Sequence, residues 1–224
     1  MLNNFIDSFS EYGDLYVQSI RETGAMVGIS LVISTIIGLL LGVVLVVTRR
    51  NNLYENPIVY QILNVTINIL RSLPFIVLMV AIIPLTKLIV GGTIGVKGAI
   101  VPLVVYTAPY IARLMESALL EVDKGVIEAY QAMGATRNQI ITRVLLRESR
   151  PGVVLGITIA TIGLIGASAM AGVVGAGGLG DVAIRYGYQR WEPAVMVTCI
   201  VFLVLIVQAV QSLGTVLAKR LRRR

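Results

Sequence analysis

The sequence predicts an all-α fold: a polytopic membrane helical bundle of five transmembrane helices, with a charged helix-turn-helix loop on one side. Three observations predict it. The 224-residue chain is 56% hydrophobic and 14% charged, with a mean hydropathy of +0.85, outside the range of soluble globular domains. Five apolar runs, residues 26–47, 73–90, 98–115, 153–174 and 194–217, are each long enough to cross about 30 Å of hydrocarbon. Between the third and fourth lies EVDKGVIEAYQAMGATRNQIITRVLLRESRP, residues 121–151, whose ionic groups would each cost several kcal/mol in lipid. That stretch is long for a connection and has helical periodicity of its own, which points to a partner.

Composition removes several classes of function. With one cysteine, Cys199, and no histidine, a disulfide framework, a His/Cys zinc site and a His-based triad are excluded. The formal charge of +7 does not imply nucleic acid here. In an apolar chain basic residues mark cytoplasmic loops, so the expected contact is membrane lipid. No repeat of 20–50 residues and no low-complexity tract divides the chain.

Residues 1–22 read as an amphipathic lead-in. They carry Asp7, Glu11, Asp14 and Glu22 against Arg21, and they lack the basic start and apolar core of a cleavable signal. Twelve of the 19 Lys and Arg residues lie in three places: Arg49 and Arg50; Lys124, Arg137, Arg143, Arg147 and Arg150; and Lys219, Arg220, Arg222, Arg223 and Arg224. Five spans put all three on one face, which the positive-inside rule assigns to the cytoplasm. The N-terminus is then outside and the C-terminus inside.

At and within the first span Gly24 and Gly28, then Gly38 and Gly42, stand four apart, as do Gly152 and Gly156 where the fourth begins. We read them as close helix packing. The second span begins earlier if residues 57–70 join it, since they too are apolar. There Gln61, Asn64, Asn68 and Arg71 form a polar stripe at helical spacing, matched in the third span by Tyr106, Tyr110, Arg113 and Ser117. Polar groups in membrane helices face the bundle interior or a wet cavity. The stripes therefore line a path, or they join helices by hydrogen bonds while Arg71 and Arg113 reach the interface. Pro74, Pro84, Pro102 and Pro109 each remove a backbone donor and can bend or loosen a helix.

The loop reads as two short helices parted at Gly134. The first covers about 123–133, with Val122, Val126, Tyr130 and Met133 on one face. Gly134 can take the left-handed conformation that ends a helix. Thr136 and Gln139 then fit a capping box, and Ile140, Ile141, Val144 and Leu145 form an apolar stripe opposite Arg137, Asn138, Thr142 and Arg143.

In the fourth span GLIGASAMAGVVG, residues 163–175, is nearly all small, with Met170 either narrowing the outer path or packing. The following GAGGLG, 175–180, satisfies G-x-G-x-x-G. That signature needs a strand before it and a helix after it in a βαβ unit, and none is predicted. The run suits a flexible outer or re-entrant connection.

Glu128-Ala129 with Gly134, followed by Val144-Leu145-Leu146, resembles the EAA loop of ABC importer permeases; Arg147 stands where that family closes on proline. NILRSLPFI at 68–76, IPLT at 83–86, AIVPL at 99–103, APYIAR at 108–113 and the 175–180 glycine run are similar to methionine-type uptake permeases. The resemblance implies a permease domain over 23–218 with its coupling loop at 121–150, a lead-in over 1–22 and a basic cytoplasmic tail over 219–224. It implies that Glu128, Ala129, Gly134, Arg137, Val144 and Leu146 meet an ATPase, and that Gln61, Asn64, Asn68, Tyr106, Tyr110 and Met170 line the translocation path.

It further implies a homodimer in the bacterial plasma membrane, two ABC ATPase subunits that bind ATP and Mg, and an extracellular substrate-binding lipoprotein. L- and D-methionine would be the substrate. No cofactor is expected in this chain, which has no G-x-x-x-x-G-K-[ST] phosphate loop, and it is not expected to be an enzyme. Two other readings remain open at this point: a permease for another small solute, and an ATP-independent transporter or channel, for which Glu116 is the candidate coupling acid.

Overall fold

The computed structural model describes residues 2–222, with side chains from residue 11 onward. Asp7 as a side chain, and Arg223 and Arg224 of the basic tail, lie outside the described residues. Helix α1 (Leu2–Thr48) runs without a break, so the lead-in expected over 1–22 continues directly into the first span. It ends before Arg49 and Arg50, where Thr48 Oγ1 donates back to the Val44 carbonyl at 2.7 Å.

The second expected span departs from a straight helix over 73–90. Helix α2 (Pro57–Ser72) is followed by α3 (Phe75–Ala81), and the two meet at 107°. Helix α4 (Ile83–Val90) then follows. At about 1.5 Å per residue, α3 and α4 each cover less than half the hydrocarbon thickness. Pro74, which has no N–H to donate and disfavours the α region for Leu73, stands at the α2–α3 break, and α3 gives way to α4 at Ile82, just ahead of Pro84. Pro84 sits in the first turn of α4, where a missing N–H costs nothing. Gly91, with φ of +75°, closes α4 by donating to the Lys87 carbonyl.

Helix α5 (Gly95–Leu120) continues through Pro102 and Pro109, so these two prolines do not interrupt it. The charged loop holds α6 (Lys124–Ala132), α7 (Arg137–Gln139), a π-helical turn (Ile140–Leu145) and α8 (Leu146–Glu148). Helix α9 (Arg150–Ala171) passes through a π turn (Gly172–Ala176) to the short α10 (Gly178–Val182). A further π turn (Ala183–Tyr188) leads to α11 (Pro193–Arg222). Among the described residues four helices are long and apolar enough to cross a membrane, and the bent α2–α3 pair makes a fifth if taken as one span.

The chain forms two compact units. One comprises residues 1–33, 73–107 and 161–210, the other 34–72, 108–160 and 211–224. The first unit has a core of Met26, Phe75, Met79, Leu103, Leu164 and Ala171, and a second cluster around Tyr16, Leu179, Val195 and Cys199. Tyr106 packs edge-on against Phe75, with centroids 5.3 Å apart.

In the second unit small residues set the packing. A Cβ on Gly38 would lie 2.6 Å from Ile111 Cγ2, and one on Gly42 2.6 Å from Met115 Cβ. From the other side, one on Gly156 would lie 2.9 Å from Met115 Cε. Helices α1 and α9 thus close on α5 there at backbone distance. Gly24 and Gly28 differ: a Cβ at either meets nothing within 4 Å, so the packing expected of that pair is not made among the described residues.

These contacts predict opposite outcomes for two similar substitutions. Gly42→Ala forces overpacking against α5 and should destabilise by about 1–3 kcal/mol. Gly24→Ala should be neutral or stabilising by about 0.5–1 kcal/mol through helix propensity. Thermal unfolding of the detergent-solubilised protein compares them, and equal melting temperatures would contradict the packing.

Candidate functional site

The charged loop is built on the second unit. Asp123 caps α6, its Oδ1 accepting from the Gly125 N–H at 2.6 Å. Gly134 adopts φ of +81°, a conformation that costs an L-residue about 1–2 kcal/mol. The chain reverses there, with the Ala135 N–H donating to the Tyr130 carbonyl. Thr136 and Gln139 form both halves of the capping box read from the sequence.

Beneath the loop lies a core of Val46, Leu119 and Leu145, against which Val122, Ile127, Ile141 and Leu146 pack. Ile140 and Val144 are each 1% exposed. The second half of the loop therefore buries the expected stripe and presents Arg137, Asn138, Thr142 and Arg143 to solvent. The first half corrects the face expected of it. Ile127 turns inward with Val122, while Val126 and Met133 are exposed, Met133 at 71%. The packing below decides it: Val46, Leu119 and Leu145 form the surface this half of the loop rests on, and Val122 and Ile127 are the residues that reach it.

The six residues expected to contact an ATPase consequently divide. Glu128, Ala129, Gly134 and Arg137 are exposed on the outer surface; Val144 is buried and Leu146 partly so. Glu128 makes no ion pair among the described residues. Glu128, Lys124 and Arg137 help line an open cleft of about 680 Å³ whose floor includes Val46, Leu53 and Leu119. An unpaired carboxylate beside apolar and basic residues suits a protein partner better than a small apolar ligand.

One contributor escaped the sequence reading. Tyr54, in the turn between α1 and α2, donates its hydroxyl to Asn138 Oδ1 at 3.0 Å. Its ring lies 5.3 Å from the Arg137 guanidinium. It clamps the start of the second loop helix. Its trace in the sequence is one aromatic residue beside Leu53 in a turn whose other residues are polar, RRNNLYEN.

The polar stripes meet partly. Arg113 on α5 donates from Nη2 to Asn64 Oδ1 and Asn68 Oδ1 on α2, both at 2.7 Å. Its Nη1 pairs with Glu116, which is 4% exposed. Arg71 lies over the Tyr110 ring at 5.7 Å. Asn64, Asn68 and Tyr110 are thus drawn into contacts between α2 and α5, whereas Gln61 stays exposed outside this network. Tyr106 belongs to the other unit, packed on Phe75. Met170 belongs to that unit too and is 45% exposed. Glu116, neutralised by Arg113, is a poor candidate for a free ion-coupling acid.

Comparisons with known proteins bear on this loop and these helices. Residues 34–223 match the family described as binding-protein-dependent transport system inner membrane component. The probable D-methionine transport system permease protein MetI of Vibrio cholerae is 47% identical over 222 residues, covering 99% of each chain. The methionine import system permease protein MetP of Bacillus subtilis is 41% identical over 180 residues, covering 80% of this chain and 81% of its own. Among solved structures, a chain of the MetNI methionine ABC transporter in an inward-facing conformation superposes with a TM-score of 0.92 at 46% identity, covering 94% of this chain and 98% of its own. A chain of an amino acid ABC transporter superposes at 0.78 with 17% identity, which shows the shared fold alone.

The Arg113 contacts carry a prediction of their own. Arg113→Ala leaves the Glu116 carboxylate buried without its partner and should destabilise by about 3–5 kcal/mol. Adding Glu116→Gln in the same chain should restore at least half of that loss. The thermal midpoints of the single and double variants check it; no recovery in the double variant would mean the pair is not coupled.

Proposed function

The chain belongs to the binding-protein-dependent inner-membrane permeases of ABC importers, in their methionine-uptake branch, and on that premise we propose that it carries L- and D-methionine across the bacterial plasma membrane. It is the multi-pass membrane component, not the ATPase. In our reading two copies form the path, two ATPase subunits bind ATP and Mg on the cytoplasmic side, and an extracellular lipoprotein delivers substrate. The clustering of basic residues in the loop and the C-terminal tail supports an N-out, C-in orientation.

The observation that carries this reading is the division of the loop into an anchored inner face and a free outer face. Val144, Leu145 and Ile140 root it in the helices below, so force applied to Glu128 and its neighbours reaches α1 and α5 rather than bending a loose segment. Glu128 is then the polar anchor to the ATPase, Ala129 and Gly134 let the partner approach closely, and Arg137 adds charge at the second contact. ATP-driven closure of the ATPases draws two such loops together and turns the path outward. Gln61, Asn64, Asn68, Tyr106, Tyr110 and Met170 are proposed to line or shape that path, with Asn64 and Asn68 also bonded to Arg113.

Reconstituted transport tests this. The chain with its ATPase and binding protein in liposomes should accumulate methionine only with ATP. Glu128→Ala removes a charge-assisted contact and should reduce ATP-dependent uptake by about tenfold or more, with little change in melting temperature because Glu128 is exposed. Uptake by the chain alone, or undiminished uptake in that variant, would overturn the proposal.

A further inference from the structure

The glycine run that follows α9 is not a slack connection. Gly175, Gly177 and Gly178 all take positive φ, +89°, +82° and +80°, and the chain turns sharply between the π turn and α10. Such a break exposes backbone donors at the start of α10 that no earlier residue of that helix can satisfy. Helix α1 supplies the acceptors. Glu22 Oε2 accepts from the Gly178 N–H at 2.7 Å, and Thr23 Oγ1 accepts from the Leu179 N–H at 2.9 Å. The Glu22 carboxylate also accepts from Gln18 Nε2 at 2.8 Å, which steadies it.

The fit is tight enough to exclude side chains. A Cβ on Gly177 would lie 2.5 Å from Glu22 Oε2; one on Gly178 would lie 2.7 Å from Thr23 Oγ1 and 2.8 Å from Met26 Cε. Gly172 closes the other side of the turn, where a Cβ would lie 2.5 Å from the Asp181 nitrogen. Thr23 is 4% exposed, so if it swung away, the Leu179 N–H would be left buried and unpaired, a cost comparable to a full desolvation penalty. In this arrangement both donors are satisfied, and a shape that carries Gly178 and Leu179 away from α1 gives up both acceptors. The two bonds therefore bias the break toward its bent form.

We propose that Glu22 and Thr23 are positioning residues of the transport cycle: a latch from α1 that holds the glycine break in this bent form and is released when the path changes sides. The proposal rests on the importer reading above. With the latch intact, the break changes shape only when the whole complex drives it. Without it, the break changes shape on its own, and ATP is hydrolysed without a matching passage of substrate.

The complete complex in liposomes tests the latch by two quantities, methionine taken up per ATP hydrolysed and the hydrolysis rate without substrate. Glu22→Ala should lower uptake per ATP by about tenfold, which corresponds to about 1.4 kcal/mol, and raise substrate-free hydrolysis. Glu22→Gln keeps an oxygen acceptor for Gly178 and should stay within about twofold of the unmodified complex. Thr23→Val preserves shape but removes the acceptor, and it should shift both quantities in the direction of Glu22→Ala; it carries the test if Glu22→Ala does not assemble. A purely structural contact would lower the amount of folded complex or its melting temperature and leave uptake per ATP unchanged, and that result would overturn the latch. Failure of the importer reading is separate, since the unmodified complex itself would then show no ATP-dependent uptake.

Discussion

Hydrocarbon offers no hydrogen bond to a backbone amide, so every place where a helix of this chain stops inside or beside the membrane must supply its own partner. Much of the architecture follows from how those stops are served. At Pro74 the Val77 and Leu78 N–H groups both turn back to the Pro74 carbonyl. At Gly91 a left-handed glycine returns its N–H to Lys87. At Gly178 and Leu179 the acceptors are Glu22 and Thr23, from a distant stretch of α1. The first two stops are closed by near neighbours and persist wherever their helices go. The third depends on a tertiary contact, which is why it can act as a switch.

Between the stops, contact replaces the hydrophobic effect as the source of cohesion, because lipid tails are as apolar as leucine. Glycines at 38 and 42 on α1 and at 152 and 156 on α9 meet α5 at distances where even a methyl group would collide or press hard. Met115 is shared by both contacts, so α5 is gripped from two sides. Arg113 and Glu116 pair on the same stretch of α5, and the hydrogen bonds of Arg113 to Asn64 and Asn68 tie α2 to it as well. Polar groups that read as path lining thus also bind helices together, and one guanidinium serves three acceptors.

The loop obeys the opposite constraint. In water its ionic groups cost little, and its shape is set by caps rather than by burial. Asp123, Gly134 and Thr136 define its ends and its turn, while the apolar residues below hold it in place. Tyr54 adds a clamp from the preceding connection. The result is a loop anchored from below whose outer surface carries Glu128 and Arg137 together with the exposed Val126 and Met133.

Residue type alone determined much of this. Apolar runs identify membrane helices because the bilayer has a fixed thickness, and Asp123, Gly134, Thr136 and Gln139 identify the loop's turns because caps act within a few residues. Glu128, Ala129 and the motifs around them pointed to the family for the same local reason. The break at Pro74 was half legible: proline marks the spot, but the angle depends on what the two short helices pack against. Which face of α6 turns inward, the reach of Tyr54 to Asn138, and the meeting of Arg113 with Asn64 and Asn68 were decided only by the tertiary structure. So was the seating of Glu22 and Thr23 on a turn 156 residues away in the chain. Spacing along a helix reports which residues share a face; it carries no information about which distant segment will stand opposite, and these contacts exist only once the chain has been brought together.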